Sequence, residues 1–430
     1  MKALFVNVPV YDFSAFDLWS KPYGFLFIVD LLMKNGWDIG FFDFMDRNHS
    51  FYDGKRTDRK YGCGHYHAEF VNKPEVYRNV PKRYKRFGLP QEIFLRFLQD
   101  SGKIDMIFIT CAMTYWYTGV KEVIDTCRKF TDAPVVIGGT YATFCPEHAK
   151  KLGADIVFQG SDIRNFVSLF NKNTGFKLRY FENLKPLWRV YEKLSYLVVR
   201  TSYGCPFSCW YCGIKKLQPE YRLRRKEDVV DEIEENFEKY KFKDIAFYDD
   251  ALLFDFEHLA AIIEKIAGMK KINFHTPNGI HPKFINSQVA SFLKKYGFKT
   301  IRLSVETFDE KRQKESSFKL CFADFEKAMK YLVDAGFSKN EIGAYILAGL
   351  PGQKFEDVVE TIKILKNYPC KVKLAEYSPI PETPDFEISR RINPDLPLDE
   401  PLYHNNSIFP LWGFEGKWEK IEWLKLFAQT

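Results

Sequence analysis

Leu197-Val-Val-Arg-Thr-Ser-Tyr-Gly-Cys205-Pro-Phe-Ser-Cys209-Trp-Tyr-Cys212 is the stretch on which the fold turns. A short apolar strand runs into a loop that carries three cysteines within eight residues. Thiolates this close can wrap one metal centre. A structural zinc site asks for four protein ligands, and no fourth Cys or His lies near this run. A cubane iron–sulfur cluster takes one thiolate per iron, so three thiolates leave one iron open. In a barrel, the loop after a strand's C-terminal end is where catalytic groups sit. The plain alternative is three free or zinc-bound cysteines.

Reading outward, the strand at 196–202 is the first of six. The others fall near 243–248, 271–275, 299–305, 341–347 and 371–377. Helical patterns occupy 226–240, 256–268, 284–296, 319–336 and 355–367 between them. Strand and helix in regular alternation predict parallel strands joined by right-handed crossovers. Six such units make a partial (β/α)6 barrel over 196–385. Residues 386–430 are expected to be a C-terminal tail packed on it.

The chain before the barrel alternates in the same way. Strands are predicted at 3–8, 37–44, 105–110, 135–137 and 156–158, with a helix from Gly24 to Lys34 stopped by Asn35-Gly36. Continuous apolar strands between helices imply an α/β fold with a doubly wound parallel sheet over 1–165. Such sheets bind ligands beyond the carboxyl ends of their strands. Those ends here hold Pro9, Cys111, Gly138 and Gly139. Residues 48–90 interrupt the pattern with a Tyr-, Arg- and Pro-rich insert, and 166–195 read as a linker.

The CxxxCxxC spacing, with Tyr211 before its last cysteine, resembles the signature of the radical S-adenosylmethionine (SAM) superfamily. That resemblance implies a [4Fe–4S] cluster on Cys205, Cys209 and Cys212, whose open iron chelates the amino and carboxylate groups of SAM. Cleavage of SAM would then yield a 5′-deoxyadenosyl radical. Further motifs follow in the expected order. Asp249 and Asp250 resemble the motif contacting the SAM amino group, where a carboxylate suits an ammonium. Asn278 follows the third strand. Ser304 and Glu306 resemble the ribose motif, and Gly349, Leu350 and Pro351 the adenine-side motif.

The N-terminal part is similar to the cobalamin (B12)-binding, Rossmann-like domain found in one class of these enzymes. The DxHxxG motif that supplies a lower histidine to cobalt elsewhere is absent. Cobalamin is expected at Pro9, Cys111, Gly138 and Gly139. The class implies methyl transfer to an unactivated carbon. Its rivals are a cobalamin-independent rearrangement, cyclisation or carbon–carbon coupling, and a non-catalytic iron–sulfur protein. A reducing partner such as flavodoxin or ferredoxin and a small-molecule or lipid substrate are implied as well.

Composition narrows the remaining classes. The chain has 430 residues, 46% hydrophobic and 28% charged, which fits a globular protein of two or three domains. A net charge of +7 with no basic stripe gives no ground for nucleic acid. No run of about 18 apolar residues is present, so no transmembrane segment is expected. Nine cysteines, mostly scattered, and an opening Met1-Lys2 that leads straight into a strand are expected of a cytoplasmic protein without a leader. Cys63, His65 and His67 form a second possible metal cluster. Cys111, Cys127, Cys145, Cys321 and Cys370 read as small core residues.

Overall fold

The computed structural model describes residues 1–54, 56–269, 272–316 and 321–429. They form two compact units that divide at Ser195 and Tyr196; segments 216–218 and 400–402 belong to the first.

The first unit is built on five parallel strands: β1 (Lys2–Asn7), β2 (Asp38–Asp43), β3 (Met106–Thr110), β4 (Val135–Gly138) and β5 (Ile156–Val157). Their order is β5-β4-β3-β1-β2. The chain winds one way from β1 to β2 and the other way from β3 onward, so the switch point lies between β1 and β3. Period-2 alternation divides β1 between two cores. Leu4 and Val6 join one with Val120, Val123 and Tyr141; Ala3 and Phe5 join the other with Leu31, Trp37 and Phe170.

Two expectations need correcting here. Residues 166–195 are not a free linker. They continue the helix Ile163–Asn173, whose Phe166 and Phe170 lie in the sheet's core together with Leu178 and Leu187. The insert 48–90 is not plain loop either. Strands Ala68–Phe70 and Lys85–Phe87 extend a small antiparallel sheet with Val10–Asp12. Its Tyr52, Tyr66, Tyr77 and Tyr84 are buried, so the aromatic bias that marked it is core packing.

The second unit holds β6 (Leu197–Val199), β7 (Asp244–Phe247), β8 (Asn273–His275), β9 (Phe298–Glu306), β10 (Ile342–Ala348) and β11 (Lys371–Glu376). They lie in sequential order and all are parallel. Helices Lys226–Tyr240, Phe256–Ile266, Ser287–Lys295, Phe322–Asp334 and Phe355–Lys366 connect them. The expected starts at 271 and at 319–320 lie outside the described residues. The final stretch packs on the barrel as expected, with helix Lys417–Gln429 setting Trp423 against Phe355; only its boundary shifts, since helix Pro384–Ile392 spans it. Among the described residues no helix is long and apolar enough to cross a membrane.

Candidate active site

The three cysteines sit on the loop of a hairpin. Strand Ser202–Tyr203 pairs antiparallel with Arg222–Leu223, and the intervening loop carries Cys205, Cys209 and Cys212. Gly204 enters the loop at φ +72°, a conformation that a Cβ would strain. The N–H of Cys212 donates to the Cys209 carbonyl at 3.0 Å, and Lys215 Nζ to the Cys205 carbonyl at 2.6 Å. All three thiols are free of disulfides; Cys205 and Cys209 are buried and Cys212 half-buried.

This donor set fits an iron–sulfur cluster. Burial first, then the neighbouring Cys209 and Cys205, push the Cys212 thiol up to about 12. Without a metal the Cys212 thiol stays neutral at physiological pH; bound metal cations would make a thiolate of it. Among the described residues no three Cys, His, Asp or Glu side chains converge as they would on a single ion. A cubane instead spreads its ligands over separate irons. Phe207, inside the loop, stacks on His281 at 5.0 Å and approaches Phe284 at 6.1 Å, which walls the loop with rings.

Around the loop, the strand ends carry the other expected residues. Asp249 is the clearest correction. It is 1% exposed and accepts from the Thr201 N–H (3.0 Å to both oxygens), the Ser202 N–H (2.7 Å) and both hydroxyls. Oδ1 takes four of these bonds and Oδ2 only the shared Thr201 N–H, so the carboxylate chiefly fastens the end of β7 to the chain leaving β6. Asp250 is half-buried and pairs with Arg200 at 2.8 Å. Burial raises its carboxyl, and Arg200 opposes the rise. Asn278 donates to the Tyr248 carbonyl at 2.9 Å, so its amide bridges two strand-end loops.

Ser304 lies against Gly279, where a Cβ would come within 2.4 Å of the Ser304 hydroxyl. Glu306 ends β9 in the left-handed region at φ +66°, where the register with β10 shifts. A non-glycine residue held there costs about 1–3 kcal/mol and typically marks a functional position. The Tyr211 phenol lies beside both Glu306 and Cys209, and burial raises it well above its ordinary range. At the adenine-side motif, the N–H groups of Gly349 and Leu350 donate to Gln353 Oε1 at 2.8 and 3.1 Å. Leu350 and Pro351 are buried. This turn is braced from within and offers neither N–H to a ligand. Arg200 stands in the quoted cysteine stretch and Gly279 directly after Asn278, yet the sequence reading gives neither a role.

In the first unit, three of the four expected cobalamin positions are explained by the domain's own packing. A Cβ on Gly119 would meet the Pro9 carbonyl at 2.0 Å, so helix Tyr117–Cys127 lies directly over Pro9. Cys111 is fully buried, with Sγ 3.1 Å from the Met113 carbonyl, and burial pushes its thiol up to about 12. Gly139, at φ +89°, would place a Cβ 2.9 Å from the Cys111 carbonyl. Gly138 differs. Its φ is not restrictive and a Cβ would meet only Phe158 at 3.8 Å. This position alone of the four is not taken up by the domain's own close packing. Cys63, His65 and His67 do not gather: Cys63 is buried, His65 packs on Phe16, and His67 bonds Glu69 at 2.9 Å. Cys321 is exposed and Cys145 half-buried, contrary to the core reading of both.

Comparison with known proteins agrees with this geometry. The radical SAM superfamily matches residues 199–365, and the B12 binding domain matches residues 85–167. The chain is 24% identical to threonylcarbamoyladenosine tRNA methylthiotransferase MtaB of Thermotoga maritima, over 67% of this chain and 69% of that protein. It is 25% identical to a tRNA-2-methylthio-N(6)-dimethylallyladenosine synthase of Lachnoclostridium phytofermentans, where the match spans 39% of this chain and only 38% of the relative. Among solved structures, the radical SAM methyltransferase TsrM from Kitasatospora setae, with cobalamin and a [4Fe–4S] cluster bound, superposes with a TM-score of 0.65 at 15% identity. That match covers 91% of this chain and 78% of TsrM. The cobalamin-dependent enzyme OxsB superposes at 0.56 with 10% identity, over 94% of this chain and 57% of OxsB. The three-cysteine hairpin on a six-stranded partial barrel, together with the five-stranded parallel sheet before it, makes this chain a member of the radical SAM enzymes that carry a B12-binding domain.

Proposed function

We propose that this enzyme transfers a methyl group to an unactivated carbon of a small-molecule or lipid substrate. The reading is carried by the cysteine hairpin, whose three thiols leave one cluster position open to SAM, and is supported by the methyltransferase TsrM among the structural neighbours. When bound, the cluster and SAM supply a hydrogen-abstracting radical and the corrinoid supplies the methyl group.

The chain's residues bind, orient and shield. Cys205, Cys209 and Cys212 hold the cluster. Phe207, His281 and Phe284 keep water from it, as a reactive radical requires. Asp250, fixed by Arg200, faces the SAM ammonium, and Glu306 and Ser304 take the ribose hydroxyls. Gly138 leaves room for the corrinoid. An acidic one-electron donor of the flavodoxin or ferredoxin kind supplies the reducing equivalents.

The test is anaerobic turnover. Reduced protein should convert SAM to 5′-deoxyadenosine, and Glu306→Ala should weaken SAM binding roughly 10- to 150-fold, the effect of one charge-assisted hydrogen bond. Protein that consumes SAM with its substrate yet never retains corrinoid would remove the methyl-transfer reading.

A further inference from the structure

The inner face of the barrel carries cations that its own residues do not balance. In β9, Thr300, Arg302 and Ser304 alternate with Ile301, Leu303 and Val305. The second set is buried, and the first includes the partly open Arg302. Register carries this face across the sheet: Arg302 pairs with Gly343 and Ser304 with Tyr345 in β10, while Gly343 and Tyr345 pair with Lys371 and Lys373 in β11. Residues at one register level share a face. Arg302, Tyr345, Lys371 and Lys373 therefore form one patch, with Tyr345 and Lys373 level with Ser304 and Arg302 and Lys371 a step of about 6–7 Å down the strands.

Several observations show that this patch is built rather than accidental. Gly343 makes room for the guanidinium: a Cβ there would lie 2.9 Å from Arg302 Nη1. The Tyr345 hydroxyl lies beside Arg302. Among the described residues, none of Arg302, Lys371 and Lys373 takes part in an ion pair with a carboxylate. The carboxylates at the feet of neighbouring strands are engaged, Asp244 with His275 at 3.0 Å and Glu341 with Lys294 at 3.1 Å. The Lys373 side chain reaches solvent, yet loss of water around its ammonium first, and the nearby Arg302 and Lys371 second, hold it below its ordinary range. Lys373 and Lys371 are exposed, so the patch is reached from solvent.

We infer that Arg302, Lys373 and Tyr345 bind an anionic oxygen group of the substrate, a carboxylate or a phosphate. A guanidinium fork, an ammonium and a hydroxyl donor form a donor set for such oxygens. The inference rests on the proposed reaction in placing the substrate at the barrel, but not in its evidence for an anion. Inorganic phosphate and acetate, titrated separately by calorimetry into the full-length, cluster-loaded protein, distinguish the two sources. One of them should bind saturably. Its affinity should fall about 10-fold or more in Arg302→Gln and in Lys373→Gln, as expected for loss of a charge-assisted bond. The exposed control Lys339→Gln should bind as the wild type does. Lys373 lies on an exposed edge, so its variant should keep the wild-type melting temperature and SAM affinity. Absence of saturable binding by either anion would overturn the assignment, as would equal affinity in the variants. Displacement of the anion by SAM would give the cations to the cofactor and also overturn it. Failure of the methyl-transfer reading would leave this titration unchanged.

Discussion

The backbone N–H of Asp385 donates to the carbonyl of Trp210 at 3.1 Å, tying helix Pro384–Ile392 to the middle of the three-cysteine loop. The fully buried Asp385 carboxylate also pairs with Arg312, whose guanidinium lies 6.0 Å from the centre of the Trp210 ring. The segment between Cys209 and Cys212 is thus gripped by both backbone and side chain.

Removing one partner of a buried pair strands the other, at a cost of about 3–5 kcal/mol. Asp385→Asn should therefore lower unfolding stability by an amount on that scale and leave a cluster that loses iron faster to a chelator. Urea unfolding and timed iron release check this. Wild-type values for both would mean that the pair does not hold the loop.

Asp249 and Asp250 are adjacent, and the structure separates their roles. Asp249→Ala removes several hydrogen bonds to a buried carboxylate and should cost about 3 kcal/mol or more of stability. Asp250→Asn keeps its shape beside Arg200, so it should fold normally and bind SAM more weakly. Calorimetric SAM titration and thermal melts of both variants decide the matter; an equal loss of stability in the two would merge their roles.

That pair also shows where sequence reading stops. Strand–helix alternation located every strand of both sheets to within a few residues, because apolar periodicity is local and most of these strands are buried along much of their length. The cysteine spacing is equally local. Which of two neighbouring aspartates faces a ligand depends on what lies across the sheet. Asp249 meets the Thr201 and Ser202 amides nearly fifty residues upstream, and no pattern along the chain encodes that meeting. The same holds for Cys111 and Gly139, which their place at strand ends grouped with Gly138 but which tertiary packing uses for the domain itself.

The cluster assignment makes a simple demand. Cys205→Ala, Cys209→Ala and Cys212→Ala should each lose most of the roughly four irons that one cubane implies. Cys321→Ala, exposed at the start of helix Phe322–Asp334, should keep them. Iron analysis of anaerobically purified protein reads the difference, and full retention in a variant lacking all three loop cysteines would end the iron–sulfur reading.

His275 gives a pH dependence with a definite sign. It is fully buried between Asp244 and Thr300, and burial holds its imidazole below the usual 6.5 despite the aspartate. From about 6.5 down to the folded value, the unfolded chain takes up a proton that the fold refuses. This contribution is fully present above 6.5 and falls away as the pH drops. His275→Gln cannot titrate, so between pH 7 and 5 it should lose less stability than the wild type. The raised carboxyls of Asp43 and Asp250 act with the opposite sign, but they are common to both proteins and cancel in the difference. Parallel urea titrations across that range measure it; identical slopes would show that His275 is not protonated on unfolding.

The two glycines ending β4 offer the sharpest test of the corrinoid site, because their backbones differ. Gly139 sits at φ +89° with its missing Cβ facing the Cys111 carbonyl. Gly139→Ala should therefore destabilise the sheet through backbone strain, which costs about 1–3 kcal/mol at such a position, whether or not any ligand binds. At Gly138 the backbone accepts a side chain and the nearest atom is 3.8 Å from where its Cβ would be. Gly138→Val should fold with near wild-type stability while filling the space at the strand end. If cobalamin occupies that space, the valine variant should lose the corrinoid absorbance that wild-type protein keeps after incubation with hydroxocobalamin and gel filtration. Its iron content and its conversion of SAM to 5′-deoxyadenosine should persist, since both belong to the other unit. Full corrinoid retention in a stable Gly138→Val protein would move the cofactor away from β4. Loss of stability equal to that of Gly139→Ala would show that both glycines serve the fold alone.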